Sequence, residues 1–379
     1  MIRVRAGIEA VPSYGAGRQG SVDDPANQDL AQLASNESPF PPLPSVEAAI
    51  ARAASEVNRY PDIDGSILRG RLADAHGVHV DQIVLGCGSI EVCRQAVTVA
   101  AGPGSDVLQA WPTFPEYTTV AALAGAGVRR VPLTGARHDV VAMAEAVTEQ
   151  TRVVFVCNPN NPTGTALTGA ELAFLLDAVP SWCLVVVDEA YAEFANAPEF
   201  GSALELLGAH ENLLVLRTFS KAYGLAGLRV GYGVTNAEVA SLLRLARIPF
   251  GVSSVALAAA IASVDASAEL AGRVATAQAE RERVAAQLTG RGWEIPSSQA
   301  NFLWIPAREP RATAAVRRCA EQKVLIRRFP DGLRITIGTS EENDRLLDAL
   351  GCPADLPTTD LATVSAASRA EPKASSLDQ

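Results

Sequence analysis

The sequence predicts an α/β fold in which a mostly parallel sheet flanked by helices is followed by a smaller α+β unit. Short, continuous, β-branched runs recur along the chain, helical patterns separate them, and this alternation gives way after about residue 255. Such runs suit strands buried on both faces. Their alternation with helices points to a doubly wound sheet. With 379 residues the chain can bury one large or two medium cores.

Residues 1–30 carry Gly15, Gly17, Gly20 and Pro25 without periodicity, which suggests an extended arm suited to reaching a partner subunit. Ser45 stands before Val46, Ile50, Ala53, Ala54 and Val57, so a helix with a serine N-cap is expected over about 45–57. Apolar runs at 83–85, 153–156, 184–187 and 213–216 read as strands. Thr168 and Glu171 form a capping box, with Leu167 and Leu172 as its hydrophobic staple. Residues 31–255 are therefore expected to form the large unit. A long helix over about 269–288 and strands at 302–305, 324–327 and 333–337 form the smaller unit, 256–352. Residues 353–379 are rich in Ala, Ser, Thr and Pro, lack aromatic residues, and read as a disordered tail.

A net charge of −10 opposes general attraction to nucleic acid or anionic lipid. No apolar stretch reaches membrane-spanning length, and Met1-Ile2-Arg3-Val4-Arg5 lacks an apolar signal core, so a cytoplasmic protein without nucleic-acid or membrane partners is expected. The six cysteines lack zinc-type spacing and read as reduced, mostly buried thiols. His76 and His79 could share a helical face but have no third ligand in view, so no metal is expected. His138 and His210 belong to no recognisable site, which argues against a histidine-based triad.

In an open parallel sheet, ligands bind beyond the carboxyl ends of the strands. Gly86-Cys87-Gly88-Ser89 follows the first run and precedes a helical stretch, a place where free backbone N–H groups meet an anion. Cys157-Asn158-Pro159-Asn160-Asn161-Pro162-Thr163-Gly164 follows the next, fixing a loop that presents amides. Asp188-Glu189-Ala190-Tyr191 places a carboxylate at a buried strand end with a phenol three residues on. Arg217-Thr218-Phe219-Ser220-Lys221, continuing through Gly224 to Arg229, adds hydroxyls, an amine and a guanidinium. Each segment alone has an ordinary structural role. Together they offer every group that a ligand with a phosphate, a basic ring nitrogen, a phenolic oxygen and an aldehyde would use, and pyridoxal 5′-phosphate (PLP) is that ligand.

On these motifs, and from Leu33-Ala34-Ser35-Asn36-Glu37 through Leu333-Arg334-Ile335-Thr336, the chain resembles the fold-type I PLP aminotransferases of the histidinol-phosphate aminotransferase family. The resemblance implies that Lys221 carries PLP as a Schiff base and moves the substrate proton, while Asp188 holds the pyridine nitrogen protonated. Tyr191 and Asn161 would bond the phenolic oxygen. Ser220, Arg229 and Thr218, with the backbone N–H groups of Ser89 and Ile90, would hold the phosphate. Phe114 would stack on the ring, and Tyr60 would reach the phosphate of a neighbouring subunit, implying a homodimer. Arg334 would fork onto the substrate carboxylate with help from Asn36. Tyr14 and Arg327 would contact the distal end of the substrate.

The histidinol-phosphate enzymes typically read Gly-Ser-Asp-Glu where this chain reads Gly88-Ser89-Ile90-Glu91, and they carry a glycine where Pro39-Phe40-Pro41-Pro42 has none. Gly86-Cys87-Gly88-Ser89, Val57-Asn58-Arg59-Tyr60-Pro61-Asp62 and the Arg217–Gly224 stretch look more like the actinobacterial aromatic, or phenylalanine, aminotransferase branch. The expectation is ping-pong transfer of an amino group between an aromatic amino acid and 2-oxoglutarate. Histidinol-phosphate transamination is the alternative, followed by decarboxylation of a phosphorylated amino acid and by a non-catalytic PLP-binding regulator.

Overall fold

The computed structural model describes residues 2–3, 8, 11, 29–308 and 310–357. In chain order it begins with β1 (Ala31–Leu33), α1 (Pro44–Ala54), α2 (Ser66–His76), β2 (Ile83–Gly86) and α3 (Ser89–Ala100). It continues through β3 (Asp106–Trp111), α4 (Glu116–Ala124), β4 (Gly127–Pro132), α5 (Val140–Glu145), β5 (Thr151–Cys157), α6 (Gly169–Ala178), β6 (Leu184–Asp188) and β7 (Leu213–Thr218). Then come β8 (Gly231–Val234), α7 (Ala237–Leu245), α8 (Ser254–Asp265), α9 (Ser267–Gly290), β9 (Phe302–Pro306), α10 (Arg311–Glu321), β10 (Val324–Phe329), β11 (Gly332–Thr336) and α11 (Ser340–Leu350). Among the described residues no single helix is long and apolar enough to cross a membrane.

The larger sheet has seven strands in the order β2-β8-β7-β6-β5-β3-β4. β8 runs antiparallel to both its neighbours, and the other pairs are parallel. Alternation between two covered faces explains why β6 is apolar from Leu184 through Val187. Val185 and Val187 pack with Leu172 and Leu175 of α6 on one face. Val186 packs with Cys93 of α3 and Val120 of α4 on the other. The chain thus meets the α/β expectation strand by strand where apolar runs were longest. The α6 capping box forms, Thr168 N donating to Glu171 Oε2 at 2.7 Å and Glu171 N to Thr168 Oγ1 at 3.2 Å, with Leu167 and Leu172 both buried.

The smaller sheet has the order β1-β10-β11-β9, with β1 parallel to β10 and the other pairs antiparallel. Its core joins Val284 and Leu288 of α9, Ala315 and Cys319 of α10, and Leu346 and Leu350 of α11.

Packing divides the chain differently from the expected 31–255 and 256–352. β1 belongs to the smaller sheet, where Leu33 packs in one core with Leu303 and Ile335. α8 belongs with the larger sheet, because Ala256, Ala259 and Ala260 pack with Val46 of α1, Leu68 of α2 and Tyr232 of β8. Leu356 is 4% exposed and packs with the smaller core, so the ordered chain runs past the expected tail boundary, while residues 358–379 lie outside the described ones. The expected N-terminal arm lies almost wholly outside them too. α1 starts at Pro44 rather than after a Ser45 cap, since proline at the first position already has helical φ and needs no N–H partner.

Candidate active site

The carboxyl ends of β5, β6 and β7 open on a cleft of about 620 Å³. Its walls include Ser89, Ile90, Phe114, Asn161, Asp188, Tyr191, Thr218, Ser220, Lys221, Arg229, Arg327 and Arg334. Twelve of the fifteen residues singled out from the sequence therefore face one space. Asn36 is wholly buried behind Tyr191 instead of on the wall. Tyr60 is 83% exposed and stacks on Phe250 with ring centroids 4.7 Å apart. Tyr14 lies outside the described residues.

Alternation at the end of β6 separates two adjacent acids. Asp188 turns to the cleft, whereas Glu189, with no exposed surface, pairs with Arg217 at 2.6 Å. Asp188 Oδ2 accepts a 2.7 Å bond from the Tyr117 hydroxyl, and Oδ1 accepts Ala190 N at 3.2 Å. Burial lifts the Asp188 carboxyl to about 6, against the pull of those two donors.

The loop after β5 is fixed by its other asparagines, leaving one for the cleft. Asn158 Oδ1 accepts Leu167 N at 2.8 Å. Asn160 Oδ1 accepts the Thr113 hydroxyl at 2.8 Å and lies 3.2 Å from His138 Nε2, while its Nδ2 donates to Thr163 Oγ1 at 2.9 Å. This knot ties the Phe114 loop to the Asn161 loop. Asn161 Nδ2 and Asn36 Nδ2 both donate to Tyr191 Oη, at 3.4 and 3.0 Å. Arg334 Nη1 donates to Asn161 Oδ1 at 2.7 Å, and since arginine can only donate, that bond fixes which way the amide faces.

Lys221 is partly buried, and its Nζ donates to the Ser35 carbonyl at 3.1 Å. Burial and the charge of Arg334, with a smaller push from Arg229, bring its ammonium down to about 7, against Glu37 and Asp188. An amine held there is available as a base and nucleophile near neutrality.

An anion cradle lies where α3 begins. Gly88 has φ +75°, and a Cβ on it would stand 2.4 Å from Arg229 Nη2. A Cβ on Gly231 of β8 would stand 2.3 Å from Ser89 N. Position 88 thus needs glycine for its left-handed backbone, and position 231 for the close approach of the α3 backbone. Arg229 Nη1 donates to Ser220 Oγ at 3.2 Å, and Ser220 N to Thr218 Oγ1 at 3.1 Å. The helix start, the guanidinium and the two hydroxyls gather at one end of the cleft, a setting for a phosphate.

β10 and β11 form another part of the wall. Arg327 pairs across the ladder with Arg334, and Phe329 with Gly332, so these residues share a face while Arg328 takes the opposite one. The guanidinium carbons of Arg327 and Arg334 lie 5.7 and 5.6 Å from the Phe329 ring centroid. Phe329 also meets Trp304 edge-on at 5.6 Å.

A sequence model of the family "Aminotransferase class I and II" matches residues 28–350. The chain belongs to the class I and II aminotransferases. It is similar to the aromatic amino acid aminotransferase of Streptomyces coelicolor, with 46% identity over 347 residues covering 91% of this chain and 96% of that one. It is also similar to the aromatic amino acid aminotransferase of Rhodococcus jostii, at 47% identity over 349 residues, 91% and 94% covered. Among solved structures, the histidinol-phosphate aminotransferase of Sinorhizobium meliloti in complex with pyridoxal-5′-phosphate matches with TM-score 0.80 and 30% identity, covering 84% of this chain and 89% of that one. The aminotransferase therefore has the fold-type I architecture that its sequence suggested, in a family that depends on PLP.

The donor set fits that cofactor, because the cleft holds an amine, a buried carboxylate, a phenol and an amide together with a glycine-lined anion cradle. Sequence reasoning missed Tyr117 and Phe329. Tyr117 lies three residues beyond Phe114 at the start of a helix, a spacing that could have marked it. Phe329 follows Arg327 by two, the strand period that puts both on one face.

Proposed function

We propose that this aminotransferase carries the amino group of an aromatic amino acid of the phenylalanine or tyrosine type to 2-oxoglutarate, in two half-reactions that use one cleft in turn. One observation carries the substrate reading: a guanidinium and an aromatic ring, Arg334 and Phe329, stand together on the wall of the cleft that holds Lys221. An aromatic amino acid presents the matching carboxylate and ring. The names of the Streptomyces and Rhodococcus relatives support the same substrate class.

When bound, PLP supplies an aldehyde that condenses with amines and a ring that accepts electrons. Lys221 holds the cofactor and moves the proton at the substrate Cα, a task suited to an amine depressed to about 7. Asp188 would keep the ring nitrogen protonated, Tyr191 and Asn161 would bond the phenolic oxygen, and Phe114 would stack on the ring. Ser220, Thr218, Arg229 and the first N–H groups of α3 would hold the phosphate. Arg334 grips the carboxylate of either substrate, and Arg327 and Tyr14 serve its far end. Asn36 acts through Tyr191 rather than on substrate. The exposure of Tyr60, away from the cleft of its own chain, supports a homodimer in which it completes the partner's phosphate site.

Arg327 beside Arg334 favours one second reading, a phosphorylated donor such as histidinol phosphate. An amino-donor panel with 2-oxoglutarate separates the two, using phenylalanine, tyrosine, tryptophan, histidinol phosphate and no donor. Glutamate forms fastest with phenylalanine or tyrosine if the reading holds. Turnover of histidinol phosphate without either aromatic donor defeats it.

A further inference from the structure

We propose that Tyr117 is a positioning residue for the cofactor, acting through Asp188: its hydroxyl holds the carboxylate in place and ionised toward the cleft. This rests on the reading of Asp188 as the partner of the ring nitrogen.

Tyr117 has no exposed surface and does not line the cleft, so it serves no direct contact there. It enters the core from the first turn of α4 and lies flat on Phe155 of β5, with centroids 4.3 Å apart and planes 2° from parallel. Phe114, on the cleft wall, meets it edge-on at 5.4 Å. These two contacts fix the ring, and the fixed ring delivers its hydroxyl to Asp188 Oδ2 at 2.7 Å. A phenol buried here needs a partner. A carboxylate at a strand end needs a donor that favours its charged form. Each group answers the other.

The surroundings make that donor consequential. Asp188 faces Cys93 from α3, Cys157 from β5, Tyr191 and Lys221, with Glu189 next to it in the chain. Burial drives Cys93, Cys157 and Tyr191 upward, so they stay neutral at pH 7 and lend Asp188 no positive charge. Lys221 is the cation facing it in this group, and it is itself depressed. The hydrogen bond from Tyr117 is the strongest influence opposing burial of the charge.

Tyr117→Phe removes the hydroxyl and leaves both ring contacts. Full-length holoenzyme would be dialysed to equilibrium against graded PLP, and bound cofactor read from its visible absorbance across pH 5.5–9. The expected result is a PLP dissociation constant raised on the order of tenfold or more, from loss of a hydrogen bond to a charged group, with the pH dependence of the absorbance displaced. Leu175→Ala, in the core on the opposite face of β6 from Tyr117, is the packing control: it lowers the melting temperature but keeps the dissociation constant within about twofold. Equal losses of PLP affinity in both variants make the role one of packing and overturn the proposal. Wild-type affinity and pH response in Tyr117→Phe also overturn it. Asp188→Asn distinguishes the levels. If it binds PLP as wild type does, the assignment of Asp188 falls and the Tyr117 inference with it; if it is impaired while Tyr117→Phe is not, only the inference falls.

Discussion

Replacing Lys221 by methionine should stabilise the cofactor-free protein at neutral and acidic pH, although it abolishes transamination. The folded chain lowers this ammonium from 10.5 to about 7, chiefly by burial and by the nearby Arg334 charge. Between those values the unfolded chain binds the proton and the folded chain has released it, so stability rises with pH across that window. The contribution is fully present above about 10.5 and is lost as pH falls through about 7. At about 1.4 kcal/mol for each tenfold in affinity, the drop sets an upper bound of about 5 kcal/mol. Lys221 is only partly buried, and solvent screening reduces this to about 2 kcal/mol. Urea unfolding of both proteins, freed of PLP, at several values between pH 6.5 and 10 measures it. Lys221→Met should exceed wild type by about 2 kcal/mol at the acidic end, with the gap closing as pH rises. A gap that stays constant across the range would refute the reasoning.

Three further outcomes follow from the contacts. Arg334→Lys should raise KM for both amino and oxo acids by about 10- to 100-fold, because an ammonium cannot make the fork that a guanidinium makes; steady-state kinetics with each substrate measures it. Asn36→Ala removes a donor to Tyr191 and the acceptor for Thr336 Oγ1, and should lower kcat more than it changes KM while costing about 1–3 kcal/mol in urea unfolding. Arg217→Met strands the wholly buried Glu189 carboxylate, and urea unfolding should show a loss of about 3–5 kcal/mol.

Local chemistry made some features legible in advance, and three-dimensional placement hid the others. β5, β6 and β7 stood out because each carries an unbroken run of at least four apolar residues. β3 carries Gln109, a buried polar residue whose Nε2 donates to Thr118 Oγ1 and which interrupts the apolar run. β4 carries two adjacent arginines, Arg129 and Arg130, at a sheet edge, and β8 reads Gly231-Tyr232-Gly233-Val234, so neither shows an apolar run. The division between the two sheets was hidden because α8 joins the larger one through alanines, which mark no boundary. At the site, strand ends pointed to Asp188 and Lys221. Asn36 gave no sign that it would lie behind Tyr191, because that depends on its left-handed backbone, φ 55°. The choice between Arg327 and Arg328 required the ladder register.

That register also explains how the two sheets bear on one chemistry. The cradle, Asp188 and Lys221 hang from the larger sheet, whereas Arg334 and Phe329 come from the smaller one. Arg334 reaches across to Asn161 Oδ1 and donates to the Ala34 carbonyl at 2.6 Å. Asn36 makes a second crossing, joined to Thr336 of β11 through Asn36 N to Thr336 Oγ1 at 2.9 Å and to Tyr191 through its amide. Both crossings end on the Tyr191 hydroxyl, one directly and one through Asn161. A shift of β11 against the larger sheet therefore moves the Arg334 guanidinium and the Tyr191 phenol together. The phenol cannot be displaced alone without breaking bonds that are buried on both sides, and leaving those groups unpaired costs about 1–3 kcal/mol each. Rigid coupling of this kind keeps the two walls of the cleft in register even though separate hydrophobic cores support them.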